Sequence, residues 1–88
     1  DIYTLSLHDA LPILEAAEAY LIGRGIRAVR VRKHEGIARI EIEKNELPKI
    51  FDVAIMSEIA AELKQIGFEH VTVDLEGYTM GSFNKGVV

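Results

Sequence analysis

No cysteine occurs among the 88 residues, so within them there is no disulfide, no thiolate metal site and no cysteine nucleophile. Tryptophan is missing, proline appears twice, and no apolar run approaches the roughly 20 residues that span a bilayer. Basic residues are the minority, 10 against 14 acidic ones, for a net charge of −4. That balance excludes a global field for nucleic acid or an anionic membrane, so any anion site has to be built locally. There is no G-x-x-x-x-G-K-[ST] loop and no nucleophile and base at matched spacing, so no complete catalytic machinery is expected. The histidines and acids do not fall at metal-ligand spacing, and no metal is assigned.

What is present is an ordinary globular composition, 49% apolar and 27% charged. The chain is long enough for one domain with a small core. A cytoplasmic protein without membrane or nucleic-acid partners is the expectation.

Residues 1–13, "DIYTLSLHDALPI", fit neither a helical nor a strand period and resemble translated sequencing-adapter read-through. They are expected to be an artefactual segment that adds nothing to the core. Residues 14–88 are then expected to be the carboxy-terminal domain of a protein truncated at its amino end.

Leu14, Ala17, Leu21 and Ile22 recur at helical spacing, which predicts a helix over 13–23 ended by Gly23 and Gly25. "RAVRVRKHEGIARIEIEK" alternates on both sides of Glu35-Gly36 and predicts a hairpin. Apolar residues must share the core face, so a two-residue turn sets Val31 opposite Ile40, Val29 opposite Ile42, Arg30 opposite Glu41 and Arg32 opposite Arg39. Two opposed arginines cost energy unless an anion or an acid lies between them. Glu41 is expected to orient its neighbour Arg30.

Asn45 is a candidate cap for helical structure over 46–66, read as one bent helix or two broken near Asp52, with Leu47, Ile50 and Phe51 buried and then Ile55, Ile59, Leu63 and Ile66. A third strand is expected over Glu69–Glu76. The fold class is α+β: a small two-layer sandwich, helix-strand-strand-helix-strand, with a three-stranded sheet, helices on one face and an arginine face open. That face would carry Arg30, Arg32, His34, Arg39, Glu41 and Glu43, with His70, Thr72 and Asp74 from the third strand. Guanidinium groups there suit a phosphate or carboxylate. Asp74 and Glu76, two apart on the strand, suit Mg²⁺ beside phosphates as well as a turn, and Ser82 suits a cap or an oxyanion contact.

"RAVRVRKHEGIARIEIEKNELPKI" followed by "LKQIGFEHVTVDLEGYTMGSFN" resembles the carboxy-terminal part of the LarE family, ATP-dependent sacrificial sulfur transferases of nickel-pincer nucleotide cofactor biosynthesis. The resemblance implies a parent enzyme using ATP and Mg²⁺, with an S-G-G-x-D-S pyrophosphatase loop and a sulfur-donating cysteine outside this chain. It implies a pyridinium dicarboxylate mononucleotide substrate and a homo-oligomer. It places anion binding on Arg30 and Arg32, acidic substrate-site positions on Glu18 and Glu41, and candidate tail contacts on Asp74, Glu76 and Ser82, with no catalytic residue in this fragment. Thr79 stands where the family carries an arginine in G-Y-R-S-G-S, which puts an anion contact from the tail in doubt. The alternative is a stand-alone small-metabolite-binding or oligomerisation module.

Overall fold

The computed structural model describes residues 7–78, with side chains from residue 12 onward. Its elements are α1 (Leu7–Gly23), β1 (Val29–His34), β2 (Ile37–Ile42), a 3-10 helix (Lys44–Lys49), α2 (Val53–Ile66) and β3 (His70–Val73). The order β1-β2-β3 makes one sheet, with β1 and β2 antiparallel and β2 and β3 parallel. This is the expected α+β sandwich. α1 lies against β1, α2 against β3, and the two helices touch each other. No helix of the described residues is long and apolar enough to cross a membrane.

The hairpin has the expected register: Val29 with Ile42, Arg30 with Glu41, Val31 with Ile40 and Arg32 with Arg39. Alternation forces this pairing, because a slip of one residue would turn Val31 and Ile40 out of the core. Those residues pack with Ala17, Leu21, Ala38, Ile42, Ile59 and Leu63, all nearly inaccessible to water. Glu35 takes the left-handed conformation (φ 56°) that closes the turn.

Several boundaries differ from expectation. α1 begins at Leu7 instead of residue 13 and carries Pro12 within it. Ile13, expected to add nothing to the core, packs against it. The segment after β2 is two helices, as one of the two readings had it. Asn45 lies inside the 3-10 helix and does not cap it, whereas Asp52 Oδ2 accepts the Ile55 N–H at 3.1 Å and starts α2. Ile22 and Phe51, expected on buried faces, are about half exposed (53% and 48%). β3 stops at Val73: the Asp74 N–H still bonds the Ile40 carbonyl, but its own carbonyl and carboxylate accept from Gly77 and Glu76 and turn the chain.

One buried acid was not anticipated. Glu46 is only 2% exposed, and its Oε1 accepts from the Arg27 N–H and from Lys49 Nζ, both at 3.0 Å. Lys49 also reaches the Gly25 carbonyl at 2.9 Å. Arg27 Nε lies 3.5 Å from Oε2, which accepts no hydrogen bond. The cluster ties the loop after α1 to the 3-10 helix. The Arg27 N–H and then the Lys49 ammonium hold the Glu46 carboxyl below its ordinary value of 4.5, against the opposing effect of burial. A depressed carboxyl stabilises the fold above the unfolded value, and that contribution is lost as pH falls through the folded one. Glu46→Gln should therefore lower the melting midpoint by roughly 5 °C at about pH 7. The gap to the parent should narrow steadily below pH 4.5. An unchanged gap in a thermal melt series would refute the charge-based account.

Candidate functional site: an arginine face closed by one carboxylate

Two-residue periodicity places the side chains of Arg30, Arg32 and His34 on the face of the sheet that the helices leave open, with Ile37, Arg39 and Glu41 from β2. The parallel register adds His70 and Thr72 from β3. Thr72 Oγ1 donates to the Ala38 carbonyl at 2.9 Å and so fastens β3 to β2.

Glu41 is the centre of this face. It is 9% exposed, and its two oxygens are divided between the opposed arginines. Arg32 Nε donates to Oε1 at 3.2 Å, Arg39 Nε donates to Oε2 at 2.9 Å, and a terminal nitrogen of Arg39 lies 2.9 Å from the same Oε2 in an ion pair. The expected repulsion between Arg32 and Arg39 is thus met by an acid within the sheet. The expectation that Glu41 orients Arg30 is corrected: its carboxylate lies on the diagonal to Arg32 and along the strand to Arg39. A carboxylate shared by two guanidinium groups gains more than one paired with a single cation.

Arg30 is held differently. Its guanidinium carbon is 6.0 Å from the centre of the Tyr78 ring, at the outer limit of a cation-π contact. Tyr78 arrives there through the turn that ends β3. Asp74 Oδ1 accepts the Glu76 N–H at 2.9 Å, the Gly77 N–H bonds back to the Asp74 carbonyl, and the Tyr78 N–H bonds the Ile42 carbonyl. Counting Arg30, Arg32, Arg39 and Glu41, this part of the face carries two excess positive charges in a chain of net charge −4. Because Arg32 spends only Nε on Glu41, its two terminal nitrogens make no hydrogen bond among the described residues. The arrangement can hold a planar or tetrahedral anion against the guanidinium groups of Arg30 and Arg32, the second of them anchored in advance by Glu41.

The other sequence candidates lie elsewhere. Glu18, on α1, accepts the Val31 N–H through Oε2 at 2.9 Å and so closes the outer edge of β1. Among the described residues it bonds no arginine. Asp74 and Glu76 do not project side by side from a strand, since the Asp74 side chain is spent on the turn. Among the described residues no three His, Asp or Glu side chains gather as a metal site would require. Ser82 and Thr79 lie outside the described residues. Tyr78 is a member of the face that pattern reasoning did not select. Its only signal was its place directly after the glycine of "DLEGY".

No family model matches the chain. The chain is 38% identical over 82 residues to the pyridinium-3,5-bisthiocarboxylic acid mononucleotide synthase of Lactiplantibacillus plantarum, a match covering 92% of the chain and 29% of that protein. It is 36% identical over 69 residues to an uncharacterized protein of Synechocystis sp., covering 78% of the chain and 26% of that protein. The chain thus spans less than a third of the length of either relative. The first match takes in more of the chain than residues 14–88 contain, so it reaches into the first thirteen residues.

Proposed function

We propose that this chain belongs to the LarE family and is the carboxy-terminal, anion-binding part of an ATP-dependent sacrificial sulfur transferase in nickel-pincer nucleotide cofactor biosynthesis. The likeness to the mononucleotide synthase over 92% of the chain carries this reading. The arginine face supports it independently. A pyridinium carboxylate mononucleotide bears a phosphate and ring carboxylates, and both classes of group pair with guanidinium forks. Arg30 and Arg32 bind such an anion, Glu41 fixes the plane of Arg32 from below, and Arg39 shares that carboxylate. The nucleotide-activating loop, its Mg²⁺ and the sulfur-donating cysteine are assigned to the part of the enzyme outside this chain, in the cytoplasm.

Titration of the chain with a nucleoside monophosphate tests the site. Each charge-assisted hydrogen bond is worth about 1.5 to 3 kcal/mol, so Arg32→Ala should weaken binding by about tenfold or more and make the remainder less dependent on salt. Lys33 pairs with Ala38 on the core-facing side of the hairpin, so Lys33→Ala should bind like the parent. Equal affinities for all three proteins would reduce the arginines to surface charge and favour a plain metabolite-sensing or oligomerisation module.

A further inference from the structure

The two edges of the sheet are treated differently. At the β1 edge, Glu18 of α1 takes the outward N–H of Val31. β3 forms the opposite edge, and there no described residue plays that part. The N–H groups of His70 and Asp74 bond inward, to the Gly36 and Ile40 carbonyls. By strand alternation, the N–H and carbonyl groups of Val71 and Val73 point outward, as a template for another strand. Behind that edge Val71 and Val73 border an apolar groove lined by Ile40, Met56 and Ile59, and Met56 is 45% exposed.

We propose that β3 pairs antiparallel with β3 of a second copy across a two-fold axis at Thr72, joining the two sheets into one of six strands. The outward groups restrict the register, because the residues exchanging hydrogen bonds have to be Val71 and Val73. With the axis at Thr72, Val71 meets Val73 of the other copy, Thr72 meets Thr72, and His70 meets Asp74 twice, an imidazole donor against the carboxylate whose Oδ1 serves the turn, leaving Oδ2 to accept. Moving the axis to Val71 sets Val73 against Glu69 and Asp74 against Phe68. Moving it to Val73 sets Thr72 against Asp74 and draws the Asp74–Gly77 turn into the ladder. The central register alone aligns the whole strand and matches polar to polar and apolar to apolar. An axis perpendicular to the sheet keeps both arginine faces on one side, so the pair presents a single continuous cationic face, with the two apolar grooves adjoining on the other.

The chain has no cysteine, so single-cysteine variants report the register directly. In the proposed pair Thr72 occupies a non-hydrogen-bonded position, where Cα atoms approach to about 4.5 Å, within disulfide reach. Sedimentation equilibrium at roughly 100 μM should give about twice the 9.8 kDa chain mass. Mild oxidation should cross-link Thr72→Cys at least about tenfold faster than Ile37→Cys, a partly exposed control on the same face. Val73→Pro removes an N–H that strand alternation turns outward, away from β2, a substitution that edge strands tolerate. It should leave the circular dichroism unchanged and yield a monomer. A monomeric parent, or a dimer in which Thr72→Cys cross-links no faster than Ile37→Cys, would overturn the proposal.

Discussion

Glu41→Ala should destabilise the domain by about 1.5 to 3 kcal/mol, the range for a hydrogen bond involving charged groups, and should at the same time loosen the candidate anion site. The carboxylate is 9% exposed, while the Arg32 and Arg39 side chains it joins are 49% and 41% exposed. Taking it away leaves two guanidinium groups opposite each other with nothing between them, a like-charge pair that a sheet disfavours. The sign is open to a direct check by urea denaturation. Arg39→Ala in the Glu41→Ala background should cost less than in the parent, or even stabilise, because the second substitution removes the repulsion that the first exposes. Additive effects would mean that the arginines do not feel the carboxylate. Increasing salt should recover part of the loss in Glu41→Ala, since the surviving repulsion lies near the surface. High phosphate should recover more than chloride at equal ionic strength if the arginines take an anion in place of the carboxylate.

That pairing shows where sequence reasoning reaches its limit. Which residues share the open face was legible, because Val29, Val31, Ile40 and Ile42 fix the register and the remaining positions follow by alternation. Which cation Glu41 selects was not, because a long side chain reaches its diagonal and same-strand neighbours as well as the residue opposite. The same reasoning explains the edges of the elements. Periodicity placed the core of α2 at Ile59 and Leu63 but set the start of α1 at residue 13, because Pro12 and a mixed pattern conceal a helix that begins at Leu7. Alternation through Asp74 and Glu76 read as strand, yet the Asp74 carboxylate competes for the backbone and turns the chain. Glu46 had no signal at all. It sits in the polar run "KNELPK", and only the three-dimensional approach of Arg27 and Lys49 makes its burial affordable.

Gly77→Ala should cost about 1 to 3 kcal/mol, the range for forcing a side chain into a conformation it rarely adopts. Gly77 has φ 83°, on the side of the map that glycine alone visits freely. Space is also lacking: a Cβ built there would lie 2.6 Å from the Ile42 carbonyl oxygen and 3.2 Å from the Lys44 nitrogen. Both are backbone atoms, one at the end of β2 and the other at the start of the 3-10 helix, and the same Ile42 carbonyl accepts the Tyr78 N–H. Relieving the clash therefore means giving up the bond that brings Tyr78 under Arg30. Gly23→Ala is the matched control, because nothing lies within 4 Å of its added carbon and its φ is not positive. At the end of α1 that change should be neutral or slightly stabilising, by up to about 1 kcal/mol, through helix propensity. Urea titrations of the two variants separate the effects. If Gly77→Ala proves as stable as Gly23→Ala, the turn after β3 does not hold the conformation described, and Tyr78 loses its place as the support of Arg30.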